Sequence, residues 1–143
     1  MRFVIQRVNQ AQVTVKGEII GQIGRGMLIF IGIESGDKEE DVDHFVRKIS
    51  ELRVFEDAAG KMNLSASQVG ASFLVVSQFT LLGNCEKGRR PSFDKAADPK
   101  TAEHIYNLFI QRLRDLKCKV ETGSFRAMMD VALVNDGPVT FIL

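Results

Sequence analysis

Two stretches of this chain carry residue types that could do chemistry. Lys87-Gly88-Arg89-Arg90-Pro91-Ser92-Phe93 is its one dense basic group. Clustered cations on a glycine-containing loop can neutralise a nucleic-acid backbone. A solvated loop is the other reading of the same residues. Ser77-Gln78-Phe79-Thr80-Leu81 follows the apolar run Phe73-Leu74-Val75-Val76. Polar residues where a buried strand meets a long loop commonly build a site. Thr80 offers a hydroxyl nucleophile, but no partner base is visible near it. Hydrogen bonding to backbone or substrate, or plain strand-end polarity, are the alternatives.

Other chemistries find little support. His44 and His104, the two histidines, fall in helical patterns on or beside a polar face, where a solvated role fits. Spacing leaves a Ser-His-Asp constellation open, because such partners meet only in the fold. Cys85 and Cys118 are isolated, and no Cys–His pair has ligand spacing, so neither a zinc site nor a disulfide framework is expected. Cys118 reads as a reduced core or strand residue. Gly21-Gln22-Ile23-Gly24-Arg25-Gly26 has the wrong glycine order for a dinucleotide fingerprint, and no helix pattern follows it, so it reads as a turn between strands. The formal net charge of +1 requires any polyanion site to be a local patch.

Positioning these residues requires a frame. Phe3, Ile5 and Val8 give an imperfect strand. Val13-Thr14-Val15, a turn at Gly17 and Ile19-Ile20 give a second strand or hairpin. Met27 to Ile33 is continuously apolar, as a strand covered on both faces would be. From Lys38 to about Arg53, Val42, Phe45, Val46, Ile49 and Leu52 recur at helical spacing. Asp57 to Gly60 marks a turn, and Phe73–Val76 a buried strand. Leu82 to Lys100 is polar, holds Pro91 and Pro99, and reads as a long loop. A second helix starts near Thr101, with Ile105, Leu108, Phe109 and Leu113 inward. Three strands follow. The last two, Val131–Val134 and Val139–Leu143, flank Asn135-Asp136-Gly137-Pro138.

This order predicts an α/β fold with a mixed sheet and helices on one face. The late hairpins are placed to form a second sheet. At 143 residues the chain reads as one compact domain, 1–143, able to bury roughly two-thirds of its unfolded surface. No apolar stretch reaches the ~20 residues of a spanning helix, and Met1 to Gln10 lacks a signal-peptide layout. An intracellular protein with no membrane partner is expected.

Taken together, Ser77–Leu81, Lys87–Phe93 and Asn135-Asp136-Gly137-Pro138-Val139-Thr140 closely resemble the D-aminoacyl-tRNA deacylase family. Ile5-Gln6-Arg7-Val8, Lys61-Met62-Asn63-Leu64 and Thr122-Gly123 with Phe125 match as well. The likeness covers essentially the whole chain. Related animal deacylases acting on a different mischarged tRNA alter both the SQFTL and NDGPVT motifs, which this chain keeps. It departs at Arg126, where many members have Gly or Ala, and at Asn84, where many have Asp.

The resemblance implies hydrolysis of the ester joining a D-amino acid to the 3′ end of tRNA. It implies a ββα three-layer, barrel-like fold, a cytoplasmic homodimer and no cofactor or metal. It also implies a cis Gly137-Pro138 peptide that enters the partner subunit's active site. Cis costs an X–Pro bond only about 0.5–1 kcal/mol, and Gly137 lets backbone approach a ligand closely. Two aligned carbonyls could grip the substrate ammonium, so that an L side chain strikes backbone while a D side chain meets open space. Many D-amino acids, and glycine, should then be accepted. Without the family match, a trans strand-start proline would be preferred.

On the same reading the terminal 2′-hydroxyl of the tRNA assists cleavage. Backbone N–H groups around Phe79 and Thr80 supply an oxyanion site. Gln78, Phe79 and Thr80 are the expected reaction-site residues, and Ser77 and Met129 line the pocket. Lys87, Arg89 and Arg90 meet tRNA phosphate. Arg7 braces the Gly-Pro dipeptide, with a plain surface arginine as its alternative. Two other functions compete. A non-catalytic RNA-binding domain would bind tRNA without turnover. A Thr80-nucleophile hydrolase would cleave small esters or amides through a covalent adduct.

Overall fold

A computed structural model describes residues 1–86 and 88–143. In chain order the elements are β1 (Arg2–Val15), β2 (Glu18–Ile23), β3 (Gly26–Gly32), α1 (Glu39–Ser50), β4 (Phe55–Glu56) and β5 (Met62–Leu64). They continue with α2 (Ala66–Val69), β6 (Ser72–Ser77), a 3₁₀ turn (Phe79–Leu82), α3 (Pro99–Asp115), β7 (Val120–Thr122) and β8 (Asp130–Ile142). One sheet runs β2-β1-β3-β6-β7, with β8 also on β1; β4 and β5 form a separate hairpin.

The apolar runs become the middle of the sheet. β3 pairs antiparallel with β1 and parallel with β6, and β6 pairs parallel with β7. Parallel neighbours need crossovers. Those crossovers carry α1 and α3, which pack together over one face. Alternate residues then enter two cores. Met27, Ile29, Ile31, Phe73 and Val75 meet Val42, Ile49, Ile105 and Phe109 of the helices. Leu28, Leu74 and Val76 point the other way and meet Val8, Ala11, Val13 and Ile23. The sheet curls around this second core, bringing β2 toward β7. The result is a nearly barrel-shaped mixed sheet with a helix layer.

Three sequence expectations need correction. Phe3–Val8 and Val13–Val15 are a single 14-residue strand. Its pattern looks imperfect because its pairing with β8 shifts register between Gln6 and Val8 and between Val8 and Gln10. A bulge lets the consecutive Arg7 and Val8 both be buried. The runs 131–134 and 139–143 are not a hairpin in a second sheet; up to Ile142 both belong to β8, which joins the same sheet through β1. α3 starts at Pro99 rather than near Thr101. Proline fits the first helical position, where no N–H is needed, and the Asp98 carboxylate accepts from the Lys100 and Thr101 N–H groups. Of the two readings of Cys118, core or strand, the structure favours the core. The residue lies half-buried between α3 and β7 against the helix-side core, and burial pushes its thiol pKa up.

Candidate active site

The carboxyl ends of the parallel strands β3 and β6 open into a cleft of about 620 Å³. Ligands collect at such strand ends because loops diverge there. Buried Ile31, Ile33 and Val76 form its floor. Ser77, Gln78, Phe79 and Thr80 form one wall, and Phe125 to Met129 form another. The chain leaves β6 in a fixed way. The Gln78 N–H donates to the Ile31 carbonyl at 2.8 Å, and the Leu81 and Gly83 N–H groups close the 3₁₀ turn onto Gln78 and Thr80. Gln78 Nε2 also donates to Thr80 Oγ1. The Phe79 and Thr80 N–H groups open the turn, where a helical ladder has no acceptor to offer; among the described residues neither donates to a backbone carbonyl outside it. Phe79 is 58 % exposed, and its ring meets Phe93 edge-on at 4.9 Å.

Met129 faces this wall and is held by its own turn. Its sulfur accepts from the Ser124 N–H at 3.4 Å. A Cβ on Gly123 would come within 2.7 Å of that sulfur, so any side chain there would displace the flexible end of Met129. Tyr106 supports the cleft from behind. Its hydroxyl donates to the Val75 carbonyl at 2.9 Å, its ring meets Phe125 at 5.8 Å, and burial pushes its pKa up. Tyr106, Phe125, Ala96 and Ala97 did not stand out as site residues in the sequence. The alanines come from the non-periodic loop before α3, and Tyr106 sits unremarked within a helical stripe.

Gly137 and Pro138 line no part of this cleft. Within β8, Thr140 pairs with Gln6 and Asn135 with Val8, so Asp136 to Val139 stand against Arg7 alone. These residues form an excursion from the ladder, where Pro138 owes no ladder hydrogen bond. The neck is tied by side chains. Asn135 Oδ1 accepts from the Val139 N–H at 2.8 Å, and Asn135 Nδ2 donates to Thr140 Oγ1 at 3.1 Å. Arg7, 5 % exposed, fills the space behind. It donates to the Val54 carbonyl at 2.7 Å and lies 3.0 Å from the Asp136 carboxylate and 3.6 Å from Glu56. It is no plain surface arginine. The Gly137-Pro138 peptide is cis. Gly137 has φ +124, and a Cβ there would meet the Val139 side chain at 2.7 Å.

In the basic loop Arg89 and Arg90 lie in solvent, and Lys87 falls outside the described residues. Asn84 caps this loop, accepting from the Glu86 N–H at 2.8 Å as a carboxylate would. His104 pairs with Glu39 across α1 and α3, and neither histidine lines the cleft. Among the described residues no group of three His, Cys, Asp or Glu is placed to hold a metal ion, and no helix is long and apolar enough to cross a membrane.

The D-Tyr-tRNA(Tyr) deacylase family matches residues 4–143. A D-aminoacyl-tRNA deacylase of Halothermothrix orenii is 55 % identical over 143 residues, covering all of this chain and 96 % of the relative. One of Geobacter sulfurreducens is 54 % identical, covering 100 % and 94 %. Among solved structures, a c-Myc DNA unwinding element binding protein superposes with TM-score 0.94 at 44 % identity, covering 100 % of this chain and 97 % of its own. A probable eukaryotic D-amino acid tRNA deacylase, at 18 % identity, shares the fold with TM-score 0.87 over 99 % and 97 % of the two chains.

Proposed function

This chain belongs to the D-aminoacyl-tRNA deacylase family and is a tRNA-editing hydrolase of D-aminoacyl esters; on that premise we propose how it tells D from L. The backbone at Gly137-Pro138 is the filter. Its carbonyls receive the substrate ammonium, and an L side chain strikes the backbone while a D side chain points to free space. Glycyl-tRNA, with hydrogen at both positions, passes the same filter. The terminal 2′-hydroxyl assists ester cleavage, and the Phe79 and Thr80 N–H groups hold the developing oxyanion. Gln78 orients Thr80, Ser77 and Met129 contact the substrate, and Lys87, Arg89 and Arg90 hold tRNA phosphates. The chain acts as one domain, 1–143, in a cytoplasmic homodimer whose subunits each lend Gly137-Pro138 to the other's cleft.

One observation carries this reading. The cleft wall and the Gly137 excursion are each tied by hydrogen bonds, yet Gly137 and Pro138 line no part of the cleft of their own chain. A filter that never reaches its own pocket serves a pocket elsewhere, and a second copy supplies one. β8 is suited to meet that copy, since Val134, Phe141 and Ile142 leave apolar surface uncovered.

The test is a parallel time course on D-tyrosyl-, L-tyrosyl-, glycyl- and L-alanyl-tRNA, with a 2′-deoxy terminal adenosine as a further arm. The D-tyrosyl and glycyl esters should be lost and the L esters survive. The 2′-deoxy substrate should react more slowly than Thr80→Ala acts on the normal one. Rapid loss of L-alanyl-tRNA, or full activity on the 2′-deoxy substrate, would contradict the mechanism.

A further inference from the structure

Among the described residues lining the cleft, Arg126 alone is charged. It is exposed, and no carboxylate among the described residues pairs with it. Its backbone has φ +61, a region that side chains with a Cβ enter only at a cost. Lys16 and Lys117 share that conformation, so the backbone alone says little; Arg126 differs in standing on the wall of the site. The turn that carries it is anchored at both ends. The Gly123 N–H donates to the Val75 carbonyl at 3.0 Å, and the Ala127 N–H donates to the Ser124 carbonyl at 3.2 Å. Arg126 therefore stands exposed on a tied turn in the same cleft as buried Ile31 and Val76.

An RNA end whose terminal ester lies inside this cleft must leave across the rim. The anion next to that ester's nucleoside is the phosphodiester on its 5′ oxygen. We propose that Arg126 holds this terminal phosphodiester and so positions the substrate, an inference that rests on the deacylase reading above. A planar guanidinium matches phosphate oxygens two at a time. The other anion a substrate could bring is the carboxylate of a D-aspartyl or D-glutamyl group. Reaching it would fold the guanidinium down over the apolar floor, where its charge loses water without full compensation.

The experiment compares wild type, Arg126→Gly and Arg126→Lys on four substrates. These are D-tyrosyl-tRNA, the D-tyrosyl ester of adenosine 5′-phosphate, the same ester of unphosphorylated adenosine, and D-aspartyl-tRNA. Arg126→Gly should lower kcat/KM on both phosphate-bearing tyrosyl substrates about ten-fold more than on the adenosine ester, the worth of a charged hydrogen bond. Arg126→Lys should recover part of that difference. Melting of Arg126→Gly should be unchanged or higher, because glycine accepts a positive φ freely. Equal losses on phosphorylated and unphosphorylated esters, or a lowered Tm with a uniform loss, would overturn the proposal. A loss confined to D-aspartyl-tRNA would also overturn it, assigning the guanidinium to the amino-acid side chain. A wild type inert on D-tyrosyl-tRNA would overturn the deacylase reading itself, whereas an active wild type with equal losses removes only Arg126.

Discussion

At Ser77 the chain encloses space with apolar side chains; at Gly137 it pushes bare backbone outward and holds it with polar ones. The cleft is shaped by packing, with Ile31, Ile33 and Val76 beneath and Phe125 and Met129 opposite. The excursion lies outside that cleft. Its shape comes from Arg7 behind it and Asn135 at its neck. A cleft made by packing tolerates varied ligands, whereas a backbone shape fixed by hydrogen bonds presents one surface. On the proposed reading, the first construction suits the receptor and the second the discriminator.

Removing the brace should have the largest effect. Arg7→Ala leaves the Val54 carbonyl and the Asp136 carboxylate without their buried partner. It should cost about 2–3 kcal/mol in urea unfolding, with Arg7→Lys losing less because charge survives without the planar fork. A loss under about 1 kcal/mol, typical of a surface pair, would mean that the excursion holds itself.

Gly137→Ala should be milder in stability, about 1–2 kcal/mol for the left-handed backbone. Its effect on function should be sharper. A displaced excursion should cost about 100-fold in kcat/KM on D-tyrosyl-tRNA. Unchanged activity and unchanged D/L selectivity would detach the excursion from the reaction.

The smallest effect should come from the basic loop. Arg89→Glu with Arg90→Glu should weaken all tRNAs similarly and flatten the salt dependence of log K by about one to two, since each lost phosphate contact removes 0.7–0.9 from the slope. An unchanged slope would return these arginines to a solvated loop.

Much of this frame can be read from sequence because its strands and helices obey one period each. β3 and β6 are apolar on both faces since they have a core on either side. α1 and α3 announce themselves by their stripes. β1 and β8 break period where they bulge, and Asn135-Asp136-Gly137-Pro138 has the local grammar of a turn. Only the partner strand shows it to be an excursion inside one strand. β4, β5 and α2, at two, three and four residues, are too short for any period. Of the site, Ser77–Thr80 stand out as polar residues at the end of a buried strand, and Met129 and Arg7 through motif resemblance. Ala96, Ala97 and Tyr106 reach it only by folding.

Whether cleft and excursion work across two chains can be measured by complementation. Gly137→Ala spoils the excursion and spares the cleft. Ala127→Trp fills the cleft and spares the excursion. Co-expressed with different tags and purified through both, a mixed dimer holds one native cleft facing one native excursion. It should deacylate D-tyrosyl-tRNA at about half the wild-type rate per dimer, as a two-fold assembly with one intact site requires, while each variant alone stays nearly inert. A mixed dimer no more active than the two variants, or no mixed dimer captured, would contradict a site shared between subunits.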